Sequence, residues 1–122
     1  MIDIWKTDCT VCVQEMPGLE ELSKKYADQG FGVLSVCVDV LVNNGAIDDD
    51  LMYDAQDIVK TAGTAYPIVL ADKDFRSLID VTSTPTILWV DSEGNIVAGP
   101  ERGSVGKDRT AEQIESLLEG LQ

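Results

Sequence analysis

Short apolar, β-branched runs alternate along this chain with stretches that carry one apolar stripe at helical spacing. That alternation restricts the fold more than any other feature. Ile2, Ile4 and Trp5 outline a first strand. Met16, Leu19, Leu22 and Tyr26, spaced 3, 3 and 4 apart, share one helix face, and Cys12 sits four residues earlier on it. This predicts a helix from Thr10 to Ala27 that stops near Gly30, with Pro17 removing a backbone donor inside it and kinking it. Phe31 to Asp39 reads as a buried strand. Asn43-Asn44-Gly45 marks a loop, and Asp48 to Asp50 stand where a helix N-terminus favours negative charge. Leu51, Ala55, Ile58, Val59 and Ala62 form the next helical face, closed by Gly63. Pro67 to Ala71 is a strand, and Phe75, Leu78 and Ile79 mark a short helix.

Thr86 to Val90 and Asn95 to Ala98 flank Ser92-Glu93-Gly94 as a β-hairpin, and Gly99 to Asp108 is the longest loop. Thr110 with Gln113 reads as the capping box of a last helix whose face is Ile114, Leu117, Leu118 and Leu121. The order β-α-β-α-β-α-β-β-α implies parallel pairing early and an antiparallel edge late. The expected fold is therefore α/β, a mixed central sheet flanked by helices. No repeat, low-complexity run or linker divides the chain, so residues 1–122 are expected to form one domain of ordinary size.

Composition removes whole classes of function. The chain has no histidine, so Ser-His-Asp and Cys-His nucleophiles, His-ligated metals and imidazole proton shuttles are excluded. Nine Lys and Arg against 22 Asp and Glu give a formal charge of −13. Nucleic acid and anionic lipid both call for basic patches, so neither is an expected partner. Phe31 to Val42 is interrupted by Gly32, Ser35 and Asp39 and is too short for a membrane span. The first residues lack the basic and apolar regions of a signal peptide. Reaching the first cysteine at position 9 is expected of a chain that has lost a leader or a first strand.

Chemistry must then come from cysteine, carboxylate, hydroxyl or backbone. Cys9 and Cys12 open a helix directly after a strand. At this spacing they can close a small disulfide ring, and the helix N-terminus favours thiolate at the first sulfur. Redox exchange competes here with an inert structural disulfide and with a metal half-site, for which only Cys37 remains as a further thiol ligand. Glu15 lies three residues after Cys12 on the next turn. It is either a half-buried proton acceptor for Cys12 or a solvated helix glutamate. Cys37, within an apolar strand, reads as a small buried hydrophobe. Trp5 and Trp89 are core or site wall, with Trp5 the better wall by its distance from Cys9. Asp48 to Asp50 lack the spacing of a calcium loop and read as a solvated cap. Thr84-Pro85-Thr86 opens a strand, and sequence alone favours a trans bond there.

The combination Trp5-x-x-x-Cys9-x-x-Cys12-x-x-Glu15-Met16-Pro17, the strand Val33 to Asp39, the extra helix-strand unit from Leu51 to Ala71, Thr84-Pro85-Thr86 and Asp91-x-x-Gly94 resembles the thioredoxin-like superfamily. Within it, the pattern resembles the TlpA/ResA branch of thiol-disulfide oxidoreductases, from Ile4 to Leu121. The resemblance implies that Cys9 attacks, Cys12 resolves and Glu15 handles the proton. It also implies that Pro85 is cis, with Thr84 offering its backbone to a partner. It implies no cofactor beyond the redox-active disulfide and no metal. Its partners would be a protein carrying a disulfide or dithiol and an upstream redox protein, reached by a monomer in an extracytoplasmic setting, tethered or secreted; a cytoplasmic setting is the alternative.

Three features depart from the family's pattern. Thr10-Val11 stands where many relatives place a proline before the second cysteine, which bears on reduction potential. The strands that usually precede the cysteine strand are missing, and so is an N-terminal export segment. A different class of function, a peptide-binding module with a structural Cys9–Cys12 bond, uses the same fold. A peroxide-reducing relative would place Thr or Ser three residues before the reactive cysteine, where this chain has Lys6 before Cys9.

Overall fold

The computed structural model describes residues 1–42, 45–79 and 81–120. Asn43 and Asn44 of the expected loop, and Leu121 of the last helical face, lie outside the described residues. The elements are β1 (Ile2–Trp5), α1 (Thr10–Lys25), β2 (Leu34–Cys37), α2 (Asp49–Ala62), β3 (Ile68–Leu70), α3 (Lys73–Ile79), β4 (Thr86–Val90), β5 (Ile96–Arg102) and α4 (Lys107–Gly120). The order matches the one read from apolar periodicity.

The strands form one sheet in the order β3-β2-β1-β4-β5. β1 pairs parallel with β2, and β2 with β3, while β4 runs antiparallel to both β1 and β5. The mixed sheet is as expected, and it puts β1 in the middle. Side chains alternate along a strand, so the two faces of β1 have different neighbours. Ile4 joins Val36, Val38 and Leu88 in a cluster closed by Phe75 and Ile79 of α3. Trp5 joins Cys12 and Met16 of α1, Cys37 and Val40, with Ala55 of α2 completing the cluster. Farther along the same face, Ile87 and Trp89 pack against Leu22, Tyr26 and Ile114 of α4.

Local chemistry sets most boundaries. α1 ends at Lys25, two residues short of the expected Ala27. Tyr26 caps it by donating to the Leu22 carbonyl, and a 3-10 turn over Ala27–Gln29 closes on Gly30 at φ 87°. The helix continues through Pro17 as one element. Asp48 caps α2 through its carboxylate, which accepts from the Leu51 N–H at 3.0 Å, and Gly63 at φ 71° ends it. The acidic run there is a solvated cap.

Two expectations at the C-terminal end are corrected. The loop expected over Gly99 to Asp108 is mostly structured, because β5 continues to Arg102 through a cis Gly99–Pro100 bond. β5 is an edge strand, so the proline costs no ladder bond on its outer side. Gly99 is required here. At φ +88° a Cβ would sit 2.7 Å from the Ile87 carbonyl oxygen. The capping box at Thr110 and Gln113 is also absent, since α4 begins at Lys107. The Thr110 hydroxyl instead donates back to the Gly106 carbonyl at 2.8 Å, and Gln113 donates to both Glu101 oxygens at 3.0 Å.

Candidate active site

β1 ends at Trp5 and the chain turns once before α1. The Cys9 N–H donates to the Lys6 carbonyl at 3.1 Å, closing that turn. Cys9 is the N-cap of α1 in extended conformation, and its Sγ accepts the Cys12 N–H at 3.2 Å. Cys9 and Cys12 are joined as a disulfide, with Cα atoms 5.3 Å apart. The two cysteines differ in access. Cys9 is partly exposed, whereas Cys12 is 1 % exposed in the cluster beneath. The first turn of α1 carries no acidic side chain to offset the positive end it presents to Cys9. Once the disulfide is reduced, the same N–H and helix end stabilise a Cys9 thiolate over a thiol.

A carboxylate that the sequence reading passed over holds this turn. Asp39, just past β2, accepts the Thr7 N–H at 3.1 and 3.2 Å, the Thr7 hydroxyl at 2.5 Å and the Cys37 thiol at 3.3 Å. Cys37 is fully buried and free of any disulfide. Burial first, and its bond to Asp39 second, push its thiol up to about 12. It is core, as expected.

Glu15 is half-buried on the turn of α1 after Cys12. Burial pushes its carboxyl upward, and a hydrogen bond from the Ser104 hydroxyl opposes that shift. Ser104 lies between β5 and α4, 89 residues away in sequence. A second acid faces the same region. Asp3, in the middle of β1, is 1 % exposed, and neither of its oxygens has a hydrogen-bond partner. Burial, with a smaller contribution from the Glu15 charge, pushes its carboxyl up to about 7. Tyr66, also buried, is held above its ordinary range by burial and then by the charges of Asp3, Glu20 and Glu15. Only a signal of face, an acid alternating with Ile2 and Ile4 in an apolar strand, could have flagged Asp3 in the sequence.

Thr84–Pro85 is a cis peptide, as the resemblance implied and against the preference of sequence alone. Pro85 is buried and Thr84 partly exposed at its edge. The Gly103 N–H donates to the Pro85 carbonyl at 2.9 Å, tying the proline segment to the residue beside Ser104. Trp5 lies with the cysteines, but fully buried under Cys12 and Met16 and not as an exposed wall. An open groove lies between α1 and the segment leading into α4, lined by Val11, Glu15, Gly18, Ser104, Gly106 and Lys107. Among the described residues no group of three or more His, Cys, Asp or Glu could hold a metal ion.

The chain is similar to the thioredoxin-like protein YneN of Bacillus subtilis, at 28 % identity over 96 residues, covering 79 % of this chain and 52 % of that protein. It is also similar to the thiol-disulfide oxidoreductase ResA of Halalkalibacterium halodurans, at 28 % identity, covering 97 % of this chain and 59 % of that protein. The chain thus spans a little over half the length of these curated relatives. A thioredoxin family thiol:disulfide interchange protein from Chlorobium tepidum superposes with a TM-score of 0.77 at 21 % identity, covering 96 % of this chain and 77 % of that one. That likeness establishes a thioredoxin-like fold. The family profile described as Redoxin matches residues 1–117. The chain belongs to the Redoxin family.

Proposed function

We propose that this protein is a thiol-disulfide oxidoreductase that exchanges the Cys9–Cys12 pair with cysteines of a partner protein. The observation that carries the reading is the asymmetry of the pair, with a partly exposed cysteine capping α1 and bonded to a buried one behind it. In the reducing direction, the Cys9 thiolate attacks one sulfur of a partner disulfide. The partner's S–S bond breaks, its leaving thiolate takes a proton, and Cys9 is left in a mixed disulfide. Cys12 then gives its proton to Glu15 and attacks the Cys9 sulfur. The mixed disulfide breaks, the second partner thiolate leaves, and the Cys9–Cys12 bond is restored. Two electrons have passed to the partner, and an upstream dithiol protein returns them. No cofactor takes part.

The partner chain docks against the exposed edge at Thr84 and Pro85, while Trp5 supports the cysteine turn from below. Residues 1–122 act as one domain, monomeric, in an extracytoplasmic setting, tethered or secreted. That setting is what the resemblance to the TlpA/ResA branch implies. No helix among the described residues is long and apolar enough to cross a membrane. Reduction of insulin disulfides by the protein and by Cys9→Ser tests the reading. The expected result is turnover by the wild type and none by the variant; equal rates would discard it.

A further inference from the structure

Glu15 belongs to α1 and Pro85 immediately precedes β4, yet two consecutive residues of the β5–α4 connection hold both. The Gly103 N–H donates to the Pro85 carbonyl at 2.9 Å, and the Ser104 hydroxyl donates to the Glu15 carboxylate. We propose that Ser104 is a positioning residue for disulfide exchange: it fixes the Glu15 carboxylate in its ionised, proton-accepting form, on a segment pinned through Gly103 to the proline edge where the partner docks. The inference rests on the exchange reading above and deepens it.

The chemistry follows from the donor. A hydroxyl that donates to a carboxylate favours the ionised form, whereas the burial of Glu15 favours the neutral one. The other groups around Glu15 do not replace this donor. Asp3 on β1 and Tyr66 after α2 bring no positive charge. Glu101 of β5 is occupied by Gln113, and Lys107 of α4 is paired with Glu21. Ser104 is therefore the described side chain that donates to Glu15, and its exposed position lets it be replaced without opening the core.

The placement of the segment gives the bond a second consequence. Val105, next in sequence, is 49 % exposed, so a chain docking along Pro85 would meet residues 103–105 directly. Glu15 and the docking edge then move as one frame. A proton acceptor set by this frame is in place when the Cys9 mixed disulfide forms and Cys12 must lose its proton.

The test compares wild type, Ser104→Ala and Ser104→Thr, each with Glu15 and with Glu15→Gln, measuring insulin reduction from pH 5 to 9. Loss of one hydrogen bond of this kind corresponds to about a threefold to tenfold slowing. With Glu15 present, Ser104→Ala should show that slowing near neutrality and an acid limb moved to higher pH. Ser104→Thr should restore both. In the Glu15→Gln background Ser104→Ala should change neither. Superimposable profiles for wild type and Ser104→Ala, or an equal change in the Glu15→Gln background, would overturn the proposal. Carboxyl NMR titration of Glu15 in the oxidised protein separates this outcome from failure of the exchange reading. Its midpoint should rise in Ser104→Ala whether or not insulin is reduced, and an unmoved midpoint sinks the role of Ser104 alone.

Discussion

Replacing Asp3 by Asn should change the pH dependence of stability in a defined direction. Asp3 is 1 % exposed with both oxygens unpartnered, and its carboxyl is pushed from an ordinary 3.8 to about 7. The folded protein thus binds the Asp3 proton more tightly than the unfolded chain. Stability from this group is intact below pH 3.8, falls as pH rises through the interval to about 7, and is lost above it. The loss amounts to at most about 4 kcal/mol at the top of the interval, at 1.36 kcal/mol per tenfold change in proton affinity. Asn removes the charge but leaves a buried amide that costs about 1–3 kcal/mol if it stays unpaired. Near pH 4 the variant should therefore equal the wild type or fall below it. By pH 8 it should have gained about 4 kcal/mol relative to that starting difference. Urea denaturation of the oxidised proteins at pH 4, 5, 6, 7 and 8 reads this, because the difference between the two curves cancels the carboxylates that do not interact with Asp3 and leaves Asp3 with its smaller coupling to Glu15. Parallel curves across the range would show that Asp3 is ionised without cost, and the burial argument would fail with them.

Two further outcomes follow from the same site. Glu15→Gln should flatten the pH dependence of disulfide exchange, since burial pushes the Glu15 carboxyl upward and makes it a better proton acceptor for Cys12; a profile unchanged from wild type in stopped-flow exchange would remove Glu15 from the proton step. Cys37, raised from an ordinary 9.0 to about 12, should alkylate at pH 8 on the order of a thousandfold more slowly in the native protein than after denaturation. Peptide mass spectrometry should find it unmodified beside a linked Cys9–Cys12 pair, and rapid native labelling of Cys37 would contradict its burial.

The parts of the site that were legible in the sequence are those whose geometry is local. A cysteine at a strand-to-helix junction, a second one turn later and a glutamate three residues on have their relative positions set by α1 itself. The sheet was legible for a similar reason, because β-branched runs between helical stripes leave few ways to pair. The failures came where a long-range partner overruled a local signal. Gly99 and Pro100 read as loop punctuation, but β4 offered β5 a ladder that an edge strand can accept despite them. Thr110 has the chemistry of a cap, yet Lys107 opens the helix and leaves its hydroxyl to bond backwards.

Charge was the hardest property to read, because a carboxylate's letter does not say what surrounds it. Among 22 acidic residues, the sequence marks Asp48 to Asp50 as the conspicuous cluster, and the fold leaves them as a helix cap and its first turn. The acids whose surroundings the fold changes most are isolated in sequence. Asp3 gains its environment when α1 folds over β1, Asp39 when β2 pairs with β1 beside the Thr7 turn, and Glu15 when Ser104 arrives from 89 residues away. Each is positioned by packing that forms with the whole sheet, so the proton chemistry proposed for Cys12 is a property of the assembled fold. The thiolate proposed at Cys9 draws on less of the fold: the N-terminus of α1, the Cys12 N–H and the turn that Asp39 holds.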